Sequence, residues 1–282
     1  MLAHIKSLGR TSESGFTLME LIIVIIIMGV MSVGIAGFIT LSTQTYLNVT
    51  ERDELLSSAR FAVERLNREV RNAVPNSIRG RSNATTRCLE FMPIIASTVY
   101  TEIPVAPELA IKTINVIPFN FMDDNNYVCN SCGDVVMVYP LNDSEIYQSY
   151  SEVSGKAFNI KNYTASAIPD TSAIIELRKE VVFTEDSPTN RAYIFNAPVS
   201  YCLNGRTLKR HVGYDIKEEQ PLPLFAKGSY NLMAEDVDFA TSGFTVTEAS
   251  LQRNAIVQIK FNFTRDGEQV VFDNAIHITN IP

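Results

Sequence analysis

The chain has 282 residues, a formal net charge of −7, and 46% hydrophobic residues. The excess of acidic residues lies from Pro75 onward, where 24 acidic residues outnumber 17 basic ones. An acidic surface argues against nucleic-acid binding, which requires basic patches. It also argues against nonspecific attraction to anionic membranes, which depends on clusters of basic residues.

A long apolar segment begins near the N-terminus. Residues 21–41 contain no charged side chain, and their polar side-chain groups are the hydroxyls of Ser32 and Thr40. At about 1.5 Å per residue, a helix of this length crosses a hydrocarbon core of about 30 Å. Lys6 and Arg10 precede it, and a positively charged flank is expected to stay in the cytoplasm. We therefore predict a single span, with the bulk of the chain outside the inner membrane.

Two ordinary explanations of this segment leave one residue unexplained. The first is a secretory signal peptide, because the start is basic and Gly34 and Ala36 roughly imitate a cleavage site. The second is a plain membrane anchor. Neither accounts for Glu20 at the entrance of the apolar run, since an acidic residue at membrane depth is costly and usually marks a specific pairing.

Glu20 belongs to a continuous motif, GFTLME, at residues 15–20. This motif resembles the type III signal of the type IV pilin and pseudopilin family, in which Gly is followed by Phe-Thr-Leu, a variable residue and Glu. The resemblance implies that a prepilin peptidase cleaves between Gly15 and Phe16, removes the leader 1–15 and N-methylates Phe16. It also implies an assembly role for Glu20, whose carboxylate pairs with the Phe16 amine of a neighbouring subunit.

The helical pattern continues beyond the apolar segment. No proline occurs from residue 16 to residue 74, and apolar residues recur at intervals of three or four between residues 55 and 73. This spacing places one apolar stripe along a helix, and Pro75 ends the run. We predict a transmembrane and assembly helix at 16–41 and a periplasmic amphipathic helix at 42–74, whose stripe packs on the chain's own globular domain.

Residues 75–282 are predicted to form a β-rich head. Short runs of β-branched and aromatic residues alternate with turn residues. Asn204-Gly205 is a strong hairpin signal, and the last two predicted strands are expected to be joined through Arg265-Asp266-Gly267. We predict strands at 87–92, 135–139, 180–183, 192–195, 199–203, 206–211, 255–264 and 268–279. The stretch 97–126 is predicted to be rich in loops, and the length of the head suits one large domain or two lobes. The predicted fold class is α+β, a long N-terminal helix packed on a β-rich, pilin-like head.

Four cysteines, Cys88, Cys129, Cys132 and Cys202, lie in the part of the chain placed outside the inner membrane. An even number of cysteines in an oxidising compartment favours two disulfides, for which three connectivities are possible. The preferred pairing joins Cys129 to Cys132 and Cys88 to Cys202. Cys129 and Cys132 also fit a redox pair or half of a zinc site, but the chain has no second Cys-x-x-C motif, so structural disulfides are favoured.

Sequence motifs for catalysis are not found. The chain has no Gly-x-Ser-x-Gly, no His-Glu-x-x-His and no phosphate-binding glycine loop. The acidic turn at 123–126 lacks the glycine and the distal glutamate of a calcium loop. We therefore expect no catalytic residue, no cofactor and no bound metal, and we do not expect the chain to be an enzyme.

Three further segments resemble one particular group within this family. Residues 60–79 and 199–211 are similar to the stalk end and a later hairpin of the PilW/PulJ-type minor pilins. With residues 88–93, the chain looks most like a minor pilin of the mannose-sensitive haemagglutinin (MSHA) pilus. The resemblance implies a low-abundance subunit of an initiation or tip complex that primes pilus assembly. The implied partners are the prepilin peptidase, the major pilin, other minor pilins and the inner-membrane assembly platform.

The implied location is the inner membrane with the head in the periplasm, followed by the pilus itself. Two alternatives remain open at this point. One is a minor pseudopilin of a type II secretion system, which would share the architecture. The other is a membrane-anchored periplasmic enzyme or receptor that shares only the signal. A large head favours the minor pilin, because a tip tolerates bulk that repeated packing along a shaft would not.

Overall fold

The computed structural model describes residues 15–120, 126–165, 172–222, 228–247 and 255–278. The chain divides into two units, Met1–Glu54 and Leu55–Pro282. A 54-residue helix, α1 (Leu18–Arg71), supplies the described helical part of the first unit, and strands supply most of the second. These elements confirm the predicted α+β class, with a long apolar N-terminal helix and a β-rich head.

Within the second unit, α1 buries the stripe that its sequence predicts. The buried side chains of the helix are Leu55, Ala59, Ala62, Val63, Leu66 and Val70. Their spacing of three or four residues keeps them on one side of the helix, where they join a core shared with the strands. The helical period of the sequence therefore decides which face of α1 packs on the head.

The helix ends at Arg71, so the prediction that it continues to residue 74 is wrong by three residues. Beyond Arg71 the backbone pairs with another segment. The N–H of Val74 donates to the Met92 carbonyl at 2.8 Å, and the N–H of Ile94 donates to the Asn72 carbonyl at 2.9 Å. These bonds replace a last helical turn, and the following proline also disfavours helical geometry at the residue before it.

Fifteen strands and one short second helix follow within the described residues. The strands are β1 (Arg79–Ser82), β2 (Thr86–Phe91), β3 (Ala96–Glu102), β4 (Ile111–Val116), β5 (Val135–Val138), β6 (Ser154–Gly155), β7 (Ala157–Ala165), β8 (Ala173–Phe183), β9 (Arg191–Phe195), β10 (Val199–Asn204), β11 (Thr207–Val212), β12 (Ser229–Ala234), β13 (Gly243–Thr247), β14 (Ile256–Arg265) and β15 (Glu268–His277). The short helix is α2 (Asp143–Ile146). Each predicted strand overlaps one of these, although residue 279 lies outside the described residues.

We call α1 from Leu55, together with β1, β2 and β10–β15, the helix lobe. Over the described residues it contains a five-stranded sheet of order β1-β2-β10-β11-β12 and a three-stranded sheet of order β13-β14-β15. Every pairing in both sheets is antiparallel. Large buried side chains such as Phe91, Tyr201 and Phe261 fill the core that both sheets share with α1.

Two predicted hairpins are confirmed. β10 and β11 are joined by the turn Gly205-Arg206, one residue later than the predicted Asn204-Gly205, because Asn204 ends β10 and pairs with Thr207; Gly205 has a φ of 56°. β14 and β15 are joined by Asp266 and Gly267, with φ of 48° and 86°. A two-residue hairpin turn whose central residues both have positive φ matches the natural twist of the strands, and Asp-Gly is a preferred sequence for it.

We call β3–β9 the barrel lobe, because six of its strands close on themselves. The order β4-β3-β9-β5-β7-β8 is completed by a further pairing of β4 with β8, and β6 adds a short parallel pairing to β8. A separate buried core fills this lobe. The whole lobe lies in sequence between β2 and β10, two neighbouring strands of the helix lobe, so it is an insertion into that sheet.

The prediction that residues 97–126 are rich in loops is wrong for residues 97–102 and 111–116, which are strands. β3 and β4 both lie there and form part of the barrel wall. In β3, Ala96, Thr98 and Tyr100 face inward and the residues between them face solvent. Polar residues on the inner as well as the outer face hid the alternation, and prolines in the intervening loop made the stretch look irregular.

The two lobes meet over a third group of buried side chains. Val74 and Met92 lie here, next to the Tyr147 ring of the α2 segment. The Tyr147 hydroxyl donates to the Ser77 carbonyl at 2.7 Å, and the Arg79 guanidinium lies 3.5 Å from the centre of the ring. The barrel lobe is therefore attached through a packed interface as well as through its two connecting strands.

A buried ion pair fastens β1 to β2 near this interface. Arg79 Nε lies 2.6 Å from a carboxylate oxygen of Glu90, whose side chain is almost fully buried. The hydroxyl of Tyr214 donates to the other oxygen at 2.8 Å. Burial raises the pKa of the Glu90 carboxyl, and the Arg79 charge and the two hydrogen bonds offset only part of that rise.

We expect Glu69→Ala to destabilise the head by about 1.5–3 kcal/mol, the range for a hydrogen bond to a charged group. Glu69 bridges Arg65 at 2.9 Å and Arg210 of β11 at 2.8 Å, and the Arg210 side chain is mostly buried. Urea unfolding of the purified full-length protein in detergent measures the change. Glu64→Ala, at an exposed position of the same helix, is the control, and equal losses in the two variants would contradict the prediction.

We expect head stability to fall as the pH drops below about 6.5, the usual pKa of histidine. Burial, and then the nearby Lys209 charge, lower the pKa of His211, which is 4% exposed. The unfolded chain therefore takes up a proton at a higher pH than the folded one, which costs at most about 1.4 kcal/mol per pH unit.

Urea unfolding from pH 7.5 to 5 tests this through the slope of stability against pH. His211→Gln should flatten the slope, whereas His277→Gln, at an exposed position on β15, should leave it unchanged. The same slope in His211→Gln as in the unaltered protein would show that another group is responsible.

Candidate processing and assembly site

The motif at residues 15–20 lies at the start of α1. Residues 15–17 are not helical, and Leu18 is the first helical residue. The Thr17 carbonyl accepts hydrogen bonds from the N–H groups of Glu20 at 3.1 Å and Leu21 at 3.2 Å, and Thr17 Oγ1 lies 3.3 Å from the Glu20 nitrogen. Thr17 is therefore the N-cap of α1, satisfying N–H groups that have no partner within the first helical turn.

Glu20 occupies the third helical position after this cap. Thr-x-x-Glu is the sequence pattern of a capping box, and a negative charge in the first turn interacts favourably with the helix dipole. Thr17 was not predicted to cap the helix, although its spacing to Glu20 is a sequence signal for such a cap. The consequence is that an exposed carboxylate is held on a regular helix at the entrance of the apolar segment, where it can accept hydrogen bonds from an ammonium group.

Gly15 lies in the extended segment before the cap. Among the described residues, a Cβ built on it would meet no atom within 4 Å, so the described packing does not require glycine there. The leader residues 1–14, including Lys6 and Arg10, lie outside the described residues.

The helix that carries the motif is apolar on every side from Leu21 to Leu41. Residues 18–54 are all exposed, with Phe16 72% and Leu18 78% exposed. The helix is long and apolar enough to cross a membrane. Burying one aliphatic side chain gains about 1.5–3 kcal/mol, so this surface strongly favours a lipid or protein environment over water.

Within the apolar segment, the two hydroxyls are satisfied by the helix itself. Ser32 Oγ donates to the Met28 carbonyl at 2.7 Å, and Thr40 Oγ1 donates to the Ala36 carbonyl at 3.0 Å. These bonds remove the cost of placing free hydroxyl groups in lipid. The helix is continuous through its glycines at 29, 34 and 37. Glu20 is therefore the one charged group at the entrance of an otherwise self-satisfied segment.

The cysteines form two disulfides in the structure. Cys88 of β2 is joined to Cys202 of β10, directly across the paired strands, and Cys129 is joined to Cys132. These are the pairs that the sequence analysis preferred. The first disulfide closes the base of the inserted barrel lobe, because β2 leads into that lobe and β10 leads out of it.

The Cys129–Cys132 loop does not offer ligands of the kind that a zinc site needs. Both sulfurs and the Asp134 carboxylate lie within 4.8 Å of one another, but the sulfurs are joined to each other. The two carboxylate oxygens of Asp134 accept hydrogen bonds from Tyr127 at 2.8 Å and Asn196 at 2.7 Å. This arrangement anchors the loop to the barrel wall.

The acidic turn at 123–126 falls outside the described residues except for Asn126, which forms a bridge with Asn120.

Comparison with known proteins identifies the N-terminal site. The family model of the prokaryotic N-terminal methylation motif matches residues 10–36. No curated protein and no solved structure gave a significant match. The matched segment contains the whole GFTLME motif and much of the apolar helix. The match supports a type IV pilin-like protein with a prepilin-type methylation motif, anchored by its N-terminal helix and processed by a prepilin peptidase.

We expect the two disulfides to differ in their contribution to stability. Cys88 and Cys202 are 114 residues apart in sequence, and Cys129 and Cys132 are three apart. Loop-closure entropy gives about 5 kcal/mol for the first and about 2 kcal/mol for the second. Urea unfolding of Cys88→Ala/Cys202→Ala and of Cys129→Ala/Cys132→Ala measures both losses, and an equal or larger loss for the second pair would contradict the prediction.

Proposed function

We propose that the chain is a minor pilin of a type IV pilus, part of an initiation or tip complex from which the major pilin polymerises. The observation that carries the proposal is the GFTLME motif on the capped start of an apolar helix, joined to a large disulfide-bonded head. The proposed role is structural, and no catalytic activity is assigned to the head.

The proposed maturation begins with cleavage by the prepilin peptidase. Water adds across the amide between Gly15 and Phe16, which leaves a carboxyl group on the leader and a free amine on Phe16. A methyl donor then transfers a methyl group to that nitrogen, which releases a proton. An α-amino group titrates near pH 8, so the Phe16 amine is largely positive at neutral pH.

The proposed assembly step pairs this amine with a carboxylate of a neighbouring subunit. Glu20 is suited to the role because it is exposed and held in the first turn of α1. Leaving either charge alone in an apolar bundle is costly, whereas pairing them offsets the desolvation of both. The pair therefore favours subunits that are correctly staggered over subunits that are not.

A minor subunit is favoured over a major one by the size of the head. The barrel lobe adds a second closed core to the helix lobe, and such bulk fits a tip better than a repeating shaft. The hairpin at 199–211 and the segment 88–93 resemble those of MshO, the minor pilin of the MSHA pilus. We therefore propose an MSHA-like system, with other minor pilins, the major pilin and the inner-membrane assembly platform as partners.

The proposed location of the subunit changes when it is assembled. The unassembled subunit lies in the inner membrane with its head in the periplasm, and the assembled one lies at the tip or base of the pilus.

Deletion of the gene tests the proposed role in pilus assembly. We expect few or no surface pili by electron microscopy, with restoration by the gene in trans. Pili of normal number and length would refute the proposal, and loss of protein secretion instead of pili would identify a type II pseudopilin.

We expect Glu20→Ala to be cleaved and methylated normally but to restore less than about a tenth of the pili in the deletion strain, because an unpaired amine disfavours docking by more than about 1.4 kcal/mol. Glu51→Ala removes another exposed carboxylate from α1 beyond the apolar segment and should complement fully. Gel mobility and N-terminal mass spectrometry report processing, and pilus counts report assembly. Full complementation by Glu20→Ala would show that the pairing is not needed.

A further inference from the structure

The sheets of the helix lobe have four edges, and β12 forms one of them. Among the described residues, β12 pairs with β11 and with no other strand. An unpaired edge presents a row of backbone donors and acceptors to any extended chain that approaches it. Soluble proteins usually protect such edges with charges, prolines or covering segments.

The other three edges show such protection. On β1, Arg79 donates to the Lys217 and Glu218 carbonyls and Arg81 to the Gln220 carbonyl, so that this segment lies along the strand. β13 lies beside β1, close enough that a Cβ on Gly80 would be 3.5 Å from Val246 Cγ2. β15 carries the exposed acidic residues Glu268 and Asp273. In the barrel lobe, the pairing of β4 with β8 closes the six strands, so they leave no unpaired edge among themselves.

β12 shows none of these features among the residues that the structure describes. Its sequence, SYNLMA, contains neither charge nor proline, and its first four residues are exposed. Tyr230 and Leu232 are 57% and 50% exposed and point to the same side of the strand. Met233 and Ala234 are buried in the core of the lobe and hold the strand in place. An uncharged, apolar and fixed edge strand is suited to pairing with another strand.

The charge beside this edge indicates the chemistry of the partner. Lys209, opposite Leu232 on β11, has its ammonium group 4.6 Å from the centre of the Tyr230 ring. Within the described ranges, Lys209 forms no salt bridge. A second copy of the same edge would bring another Lys209 to this side, and its strand, SYNLMA, contains no carboxylate; the exposed Glu235 follows the strand. An extended segment with an acidic residue beside its apolar ones would complement the surface.

We propose that the outer edge of β12 binds an extended strand of a different subunit, which adds to the five-stranded sheet. The incoming strand carries apolar side chains at alternate positions that cover Tyr230 and Leu232, and an acidic side chain that faces Lys209. Main-chain hydrogen bonds supply the affinity and these side chains supply the specificity. The proposal names a partner surface for the assembly role proposed above and rests on that role.

The test uses full-length protein in cells that make the pili. A photoreactive residue, p-benzoylphenylalanine, replaces Asn231 on the exposed edge of β12 or, as the control, Gln269 on the edge of β15. We expect the first probe to cross-link to another subunit with a methylation motif, at a segment with alternating apolar residues and an acidic one. The control should give no such product.

A matched pair of substitutions tests the edge directly. Leu232→Lys places a charge on β12, and Val271→Lys places one on β15, where Val271 is 52% exposed. We expect Leu232→Lys to lower the cross-linked product and the number of pili by about tenfold or more, a change of about 1.4 kcal/mol, and Val271→Lys to change neither. Lys209→Glu should weaken the same cross-link without altering the apolar edge, and it replaces Leu232→Lys if that variant unfolds early in urea.

The outcomes separate this inference from the proposed function. Loss of pili on deletion with full complementation by both Leu232→Lys and Lys209→Glu would overturn the inference and leave the function standing. A cross-link from residue 231 to the chain itself, or to a second copy of it, would also overturn the inference. Normal pili in the deletion strain would refute the function, whatever the cross-links show.

Discussion

A largely apolar helix surface from Leu18 to Leu41 is exposed in the described part of the chain, and this constraint governs the molecule. From Leu18 to Glu54 every residue of α1 is exposed, whereas from Leu55 the same helix buries one stripe in the head. The first part must therefore be surrounded by lipid or by other chains. Because Ser32 and Thr40 are satisfied by the helix backbone, Glu20 is left as the group whose partner has to come from outside. The exposed surface is consistent with membrane anchoring, and the proposed assembly would use the same surface.

The head combines a sheet built on α1 with a barrel inserted between two of its strands. Closing the barrel through β4 and β8 removes free edges from the inserted part. The Cys88–Cys202 disulfide and the β2–β10 pairing hold the two connections together at the base. Packing around Tyr147 then joins the lobes through buried side chains. An insertion constrained in this way can enlarge the head without disturbing the sheet that packs on the helix.

Charge has a different role in each part of the molecule. At the start of α1, the carboxylate of Glu20 is exposed and lies next to apolar residues, so it can select a partner. In the head, Glu90 and Glu69 are enclosed by arginines and hydroxyls and fasten strands or helix to the sheet. β12 contains no charged residue, and the charge beside it belongs to Lys209 of β11. Acidic and basic side chains therefore stabilise the head where they are paired within the chain, and recognition is the role proposed for Glu20 and Lys209.

The features that can be predicted from the amino-acid order alone are those that depend on neighbouring residues. These are the GFTLME motif, the apolar segment, the stripe on α1 and the hairpins that follow Leu203 and Arg265, because helix period and turn chemistry are local. The helix end at Arg71, the closure of β4 on β8 and the exposure of the β12 edge became visible in the folded chain. Each depends on pairing between segments far apart in sequence, which leaves no periodic pattern in either one. The cap at Thr17 lies between these cases, since its spacing to Glu20 is visible in the sequence but its hydrogen bonds are visible only in the structure.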